Sequence, residues 1–262
     1  MWKKIYTKTA WQIDAIRVAG KHLNAILLLV ARAAQPWVTW DELESLAEAY
    51  LKENKLIGSF KWFNGFPTNL CLSVNDCVVH GIPDDIPLQA GDCLKIDCGV
   101  TYQWGIADAA VSIIVWWPKY NKSWYHLIQT TKKALDAWVA MIRPNWSCLP
   151  FAQTVQKAML QGNCAIIKNL TWHGVGIEVH EWPHLYNRPH QSMQSLTWKP
   201  GWVVALEPIT AIRSTDFKEK PGNDRNLYTM KWDYGAQREY TIAIHEDGIE
   251  ILAGIEDEKS VY

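Results

Sequence analysis

Glycine is in short supply in this chain: it supplies 15 of 262 residues, one fewer than tryptophan, which supplies 16, although glycine ordinarily makes up about 7% of a protein. An excess of either charge is also missing. The 26 lysines and arginines face 27 aspartates and glutamates, so no overall basic field draws nucleic acid or an anionic membrane, and a small or locally charged substrate is expected. Long apolar runs are absent too. The stretch AILLLVA at 25–31 is too short to span a bilayer, and the lysines near the start precede no apolar stretch of signal-peptide length, which points to a cytoplasmic protein. The six cysteines (Cys71, Cys77, Cys93, Cys98, Cys148, Cys164) form no C-x-x-C pair. That excludes a zinc knuckle and fits reduced thiols rather than disulfides.

What is present suggests one mixed unit over residues 1–262, because no Pro/Gly/Ser linker, repeat or low-complexity tract divides the chain. Thr9-x-x-Gln12 and Thr39-x-x-Glu42 have the form of capping boxes, and apolar residues at helical spacing follow each, predicting helices over about 10–34 and from 39 to near Asn54. Short β pieces and loops are expected over 57–85. Residues 92–116 read as two strands around a turn containing Gln103, Trp104 and Gly105 and centred near Tyr102 and Gln103, and helices are expected over 122–142 and 149–161. Further on come a strand at WVVALEPITAI, a charged loop over 214–226, and a second hairpin turning at Asp247-Gly248.

Asp97 and Asp108 lie on the two arms of the first hairpin. With that turn they fall opposite each other on a face shared with Leu94, Ile96, Ile106 and Ala110, where two carboxylates repel unless a proton or a metal lies between them; the alternative is a shifted turn with one aspartate solvated. Glu207 and Glu239 are acids in strand-like apolar sequence, where a lone carboxylate is costly unless it lies at an edge or in an ion pair. His173 precedes Gly174-Val175-Gly176, and His80 and His180 stand in loops containing glycine and proline. Singly each histidine reads as an ordinary polar residue; together the four carboxylates and an imidazole make an oxygen-rich set able to hold two divalent ions and activate one water. No phosphate-binding G-x-x-x-x-G-K-[ST] and no G-x-S-x-G nucleophile elbow compete. HEWPH at 180–184 has the letters of a zincin motif, but Pro183 argues against the helix that motif requires.

The stretches IRVAGK, NGFPTNLCLSVNDCVVHGIP, GDCLKIDCGV, ADAAVS, HGVGIEVHEWP, KPGWVVALEP and AQREYT, in this order, resemble the type I methionine aminopeptidases along nearly the entire chain. The resemblance implies an α/β (α+β) pita-bread fold, a curved antiparallel sheet with helices on its outer face and a dinuclear metal site on its inner face. It implies Asp97, Asp108, His173, Glu207 and Glu239 as ligands of two divalent ions, Asp108 and Glu239 being shared, and Co, Mn, Fe(II) and Zn all suit such a set. Glu207 becomes the general acid/base, His180 the contact to the scissile amide, and His80 a group that positions substrate. Phe63, Phe66 and Cys71 line the pocket for the methionine side chain, whose flexible thioether suits aromatic surroundings. The implied activity is removal of the initiator methionine before a small second residue. The implied partners are nascent polypeptide N-termini near the ribosome, with no nucleic acid or membrane and a monomeric state.

Two departures bear on pocket shape: Tyr240 stands where histidine is frequent after Glu239, and Val179 where an aromatic is frequent before His180. A larger one is that Trp37, Trp62, Trp138 and Trp172 occupy places where glycine or another small residue is common. Either those codons are UGA read as glycine, or the chain is a tryptophan-rich variant in which Trp172 narrows the site or displaces its neighbours, so that Trp172→Gly raises activity. Two other activities compete: a proline-specific aminopeptidase or prolidase of the same fold, for whose N-terminal domain there is no room before residue 10, and a metal-free binding protein of the same fold, which would be expected to lose ligands.

Overall fold

A computed structural model describes residues 5–116, 121–220, 223–230 and 233–261. Helices α1 (Ala10–Ala33) and α2 (Trp40–Glu53) begin at the two expected capping boxes, with Thr9 and Thr39 each accepting from the backbone N–H three residues on, and Gln12 and Glu42 reciprocating. Strands β1 (Ile57–Gly58), β2 (Leu70–Val74), β3 (Cys77–Val79), β4 (Cys93–Tyr102) and β5 (Gly105–Ile114) follow, then α3 (Lys122–Val139) and α4 (Leu149–Gln161). The remainder is β-rich: β6 (Ala165–Ile166), β7 (Thr171–Gly174), β8 (Glu181–Tyr186), β9 (Val203–Leu206), β10 (Ile209–Ala211), β11 (Phe217–Lys220), β12 (Asn223–Thr229), β13 (Gly235–Gln237), β14 (Tyr240–Ile244) and β15 (Ile249–Ala253). Every pair among these strands is antiparallel. The largest sheet runs β15-β14-β9-β7-β8, and a second is built on β4 with β1, β2 and β5.

The apolar periodicity of the helices is spent against one side of these sheets. Ile16, Leu23, Ile26 and Leu27 of α1 join Ile96, Cys98 and Val100 of β4 and Ala107, Ala109 and Val111 of β5 in one core. Leu127, Leu135, Phe151 and Val155 of α3 and α4 join Val204, Leu206 and Ile242 in another. Alternation along the strands then turns Asp97 and Asp108 to the side away from α1 and α2. Leu94 and Ile96 lie on the helix-covered side, so they are not neighbours of the two acids on a shared face.

The first hairpin turns one residue later than expected, at Gln103 and Trp104, whose φ values are 43° and 69°. A two-residue turn with left-handed backbone at both centres matches the twist of the flanking strands. Asp108 therefore faces Gly99, and Asp97 faces Ala110. The register moves by two residues, so both acids keep the same face and become diagonal neighbours. The charged stretch 214–226 also departs from expectation: it is mostly strand, β11 pairing with β12 and β12 with β3. β11 is the edge of that sheet, and a half-exposed edge tolerates the polar residues that made this stretch read as a loop.

Gln103 and Trp104 belong to a wider set. Among the described residues, twelve non-glycine positions have positive φ; five are asparagine and four are tryptophan. Trp37, Trp62, Trp104 and Trp116 take φ of 77°, 75°, 69° and 76°, and their side chains are 82%, 73%, 84% and 56% exposed. The left-handed region costs a residue with a Cβ roughly 1 kcal/mol or more, and an exposed indole recovers little of that by burial.

Candidate functional site

Five elements converge on one cavity of about 430 Å³. Asp97 comes from β4 and Asp108 from β5; His173 comes from β7; Glu207 stands between β9 and β10, and Glu239 between β13 and β14. All five are buried. Their backbones are tied across sheets: Glu239 N–H donates to Ala110 O at 3.0 Å, and the Thr241 hydroxyl accepts from Asp108 N–H and donates to Asp108 O. His173 Nδ1 lies 3.0 Å from Gly174 O, which fixes the proton on Nδ1 and leaves Nε2 as a lone-pair donor. That Nε2 is 3.5 Å from Glu207 Oε1 and 4.0 Å from Asp108 Oδ2.

The electrostatics are those of a site built around positive charge. Asp97 is pushed up to about 7, by burial against one hydrogen bond from Gln237. Asp108, Glu207 and Glu239 are raised well above the carboxylate range, first by burial and then by the charge of neighbouring acids, which is Asp97 for Asp108 and Glu207 and Asp108 for Glu239. His173 is lowered to about 3 by burial and by its neighbour His180, so it stays neutral. Asp97 Oδ1 and Asp108 Oδ1 are buried without a hydrogen-bond partner, a costly arrangement unless a cation takes the lone pairs. Ligand atoms of Asp108, His173 and Glu239 lie within 4.8 Å of one another. Oxygen donors with one imidazole are a fit for a divalent ion. Cys71, at the same cavity, is not part of that set, because burial and the nearby aspartates push its thiol well up and keep it protonated.

The cavity has a second, apolar end. Phe63, Phe66 and Cys71 line it, and His80 and His180 open onto it. Phe63 and His180 meet edge to face at 5.1 Å, and His180 and His173 at 4.3 Å. His180 is lowered to about 4, by burial and then by His80 and His184; burial also lowers His80. Val179, Phe60, Asn64, Phe217, Glu219, Arg225 and Leu227 complete the lining, and only Val179 among them was singled out in the sequence. Four of these seven come from β11 and β12, which take in most of the charged stretch read as loop.

Trp172 is not in the cavity. Alternation along β7 turns it to the side opposite His173, where it is fully buried beside Trp138 and Trp198 and donates Nε1 to Asn187 Oδ1 at 3.0 Å. It therefore does not narrow the site. The small residue this stretch needs is Gly174, where a Cβ would meet Trp182 O at 2.6 Å across the β7–β8 pair.

The family model of metallopeptidase family M24 matches residues 14–246. The chain is 30% identical over 255 residues to the methionine aminopeptidase of Mycoplasma capricolum, covering 96% of this chain and 99% of that one. Among solved structures, methionine aminopeptidase from Rickettsia prowazekii superposes with a TM-score of 0.90 at 27% identity, covering 95% of this chain and 99% of that chain. The enzyme from Thermotoga maritima superposes with a TM-score of 0.88 at 28% identity, covering 96% and 100%.

Proposed function

The chain belongs to metallopeptidase family M24, and from that premise we propose that it removes the N-terminal methionine from nascent proteins and peptides, preferring a small second residue. One observation carries the reading: a buried cluster of four carboxylates and a neutral imidazole shares a cavity with an apolar aromatic wall. Hydrolytic chemistry and a place for a thioether side chain thus stand side by side.

Two divalent ions held by Asp97, Asp108, His173, Glu207 and Glu239 would supply Lewis-acid polarisation of a carbonyl and a lowered pKa for water. The chain's own groups do the rest. Phe60, Phe63, Phe66 and Cys71 take the methionine side chain and exclude water around it. Glu207, whose carboxyl is raised by burial and by Asp97, accepts a proton from the attacking water and returns it to the leaving amine nitrogen. His180, neutral at pH 7, donates a hydrogen bond to the carbonyl oxygen as negative charge develops there, and His80, which lines the same cavity, orients the substrate. The same reading places the enzyme in the cytoplasm as one catalytic unit, a monomer acting on nascent chains near the ribosome. Among the described residues no helix is long and apolar enough to cross a membrane.

Cleavage of Met-Ala-Ser in the presence of Mn²⁺ or Co²⁺, with Xaa-Pro peptides left intact, is the expected result; the reverse preference points to a prolidase-type enzyme, and no cleavage of either peptide points to a binding protein. His180→Ala is expected to lower kcat about 10²-fold with bound metal retained, the usual cost of removing one such donor. A variant with unchanged kcat would remove His180 from the mechanism.

A further inference from the structure

We propose that the protein, as its source makes it, carries glycine at positions 37, 62, 104 and 116 and at one or both of 138 and 172, because those codons are UGA read as glycine. Backbone and packing lead there separately. Left-handed φ is at home in glycine and is tolerated by asparagine, whose short polar side chain bonds locally. Tryptophan has neither property, yet it holds four of the twelve positive-φ places not occupied by glycine, against five for asparagine. Each of the four sits at a turn the fold depends on. Trp104 closes the hairpin bearing Asp97 and Asp108. Trp62 N–H donates to Phe66 O and Trp62 O accepts from Gly65 N–H, shaping the loop that carries the aromatic wall. Trp37 N–H donates to Leu88 O in the link between α1 and α2. Trp116 follows the end of β5. None of the four indoles is buried, so packing gives no reason for them.

The core supplies the second line. Trp138 and Trp172 are both wholly buried, and their ring centroids lie 3.4 Å apart at 85°. Edge-to-face aromatic pairs need about 4.5–7 Å between centroids, so this place has room for one indole and not two. Trp138 Nε1 and nearby Trp198 Nε1 are also buried without an acceptor, whereas buried indoles ordinarily find one.

Sequencing the gene across these codons and weighing the corresponding peptides from protein purified from its source would decide the matter. UGA codons with glycyl masses are expected; UGG codons with tryptophanyl masses would overturn the proposal. A second comparison uses two recombinant full-length chains, one as written and one with Trp→Gly at 37, 62, 104, 116, 138 and 172. The glycine form is expected to melt at least several degrees higher, and an equal or lower melting temperature counts against the proposal.

A separate observation carries a second inference, which rests on the peptidase reading above: the buried pair Lys8–Glu181 is a positioning device for His180. His180 ends the loop 175–180 between β7 and β8. Glu181, the next residue, directs one carboxylate oxygen back at that loop, accepting from Ile177 N–H at 2.6 Å and Glu178 N–H at 3.0 Å. Its other oxygen accepts from Lys8 Nζ, and both side chains are almost wholly excluded from water. Lys8 is anchored in turn, its N–H donating to Gly201 O at 2.7 Å. A buried charge pair earns no large net stability, but here its acceptors hold two N–H groups of the loop that aims an imidazole into the cavity.

Glu181→Gln and Lys8→Met are expected to lower kcat on Met-Ala-Ser by about 10-fold or more while KM and bound metal stay near wild type, with Lys8→Arg recovering most of the rate. The altered aim of the imidazole should also appear as a shifted His180 ring resonance in NMR spectra. Variants that fold and retain wild-type kcat with an unmoved His180 resonance, or whose loss of rate follows loss of metal, would overturn this inference. A wild-type protein that cleaves no peptide would instead defeat the reading on which it rests.

Discussion

Asp108→Asn is expected to lower kcat/KM on Met-Ala-Ser by about three orders of magnitude. Asp108 shares with His173 and Glu239 the group whose ligand atoms lie within 4.8 Å of one another, and its Oδ1 is buried without a hydrogen-bond partner. Losing one ligand oxygen removes charge stabilisation on the order of 4 kcal/mol, which is about 10³ in rate. Asparagine keeps the shape and removes a carboxyl whose ionisation burial opposes, so the metal-free variant should melt no lower than metal-free wild type. Steady-state rates, bound metal and melting curves in chelator check the three parts together. Turnover within a few-fold of wild type would take Asp108 out of the centre.

Chelation should destabilise the protein at neutral pH and matter much less in acid. Asp97, Asp108, Glu207 and Glu239 all have folded-state pKa values raised above their unfolded values. In the metal-free protein the folded state therefore holds more protons than the unfolded chain above about pH 4, and stability falls as pH rises from there through about 7, where Asp97 ionises. A divalent ion takes the place of those protons. At an ion concentration 100 times its Kd the gain is about 2.7 kcal/mol, or roughly 5–10 °C in melting temperature for a chain of this length. The expected result is a melting temperature that drops by that amount on adding chelator at pH 7.5 and by far less at pH 5. A chelator effect that is absent at pH 7.5, or larger at pH 5, would contradict a carboxylate-held ion.

Much of this site is legible in the letters because its chemistry is local. Asp97, Asp108, Glu207 and Glu239 are carboxylates in apolar strand-like sequence, and burial there needs a reason whatever the fold. The capping boxes at Thr9 and Thr39 and the turn at Asp247-Gly248 likewise depend on a few adjacent residues, and each element begins or turns where those residues direct. The first hairpin was legible as a turn around Gln103, Trp104 and Gly105, but its centre was not, and the register could be placed only after the strands were paired. Phe217, Glu219, Arg225 and Leu227 were missed for another reason. They lie on β11 and β12, whose polar residues look like loop, and only the pairing of β12 with β3 brings the two strands over the cavity.

The role of Trp172 shows the same division. As a letter beside His173 it suggested a narrowed site; in the fold it points into the helix-side core and crowds Trp138, 34 residues earlier in the chain. By itself the sequence determined which acids and histidines stand out as candidates, the family and the helices, because residue chemistry and periodicity act over a few positions. Tertiary structure decided the diagonal placement of the two aspartates, the wall that β11 and β12 add, the tie from Lys8 to Glu181, and which tryptophans the backbone and core can hold. Each of those depends on the distance between residues far apart in the chain, which becomes definite only when strands pair and helices cover them.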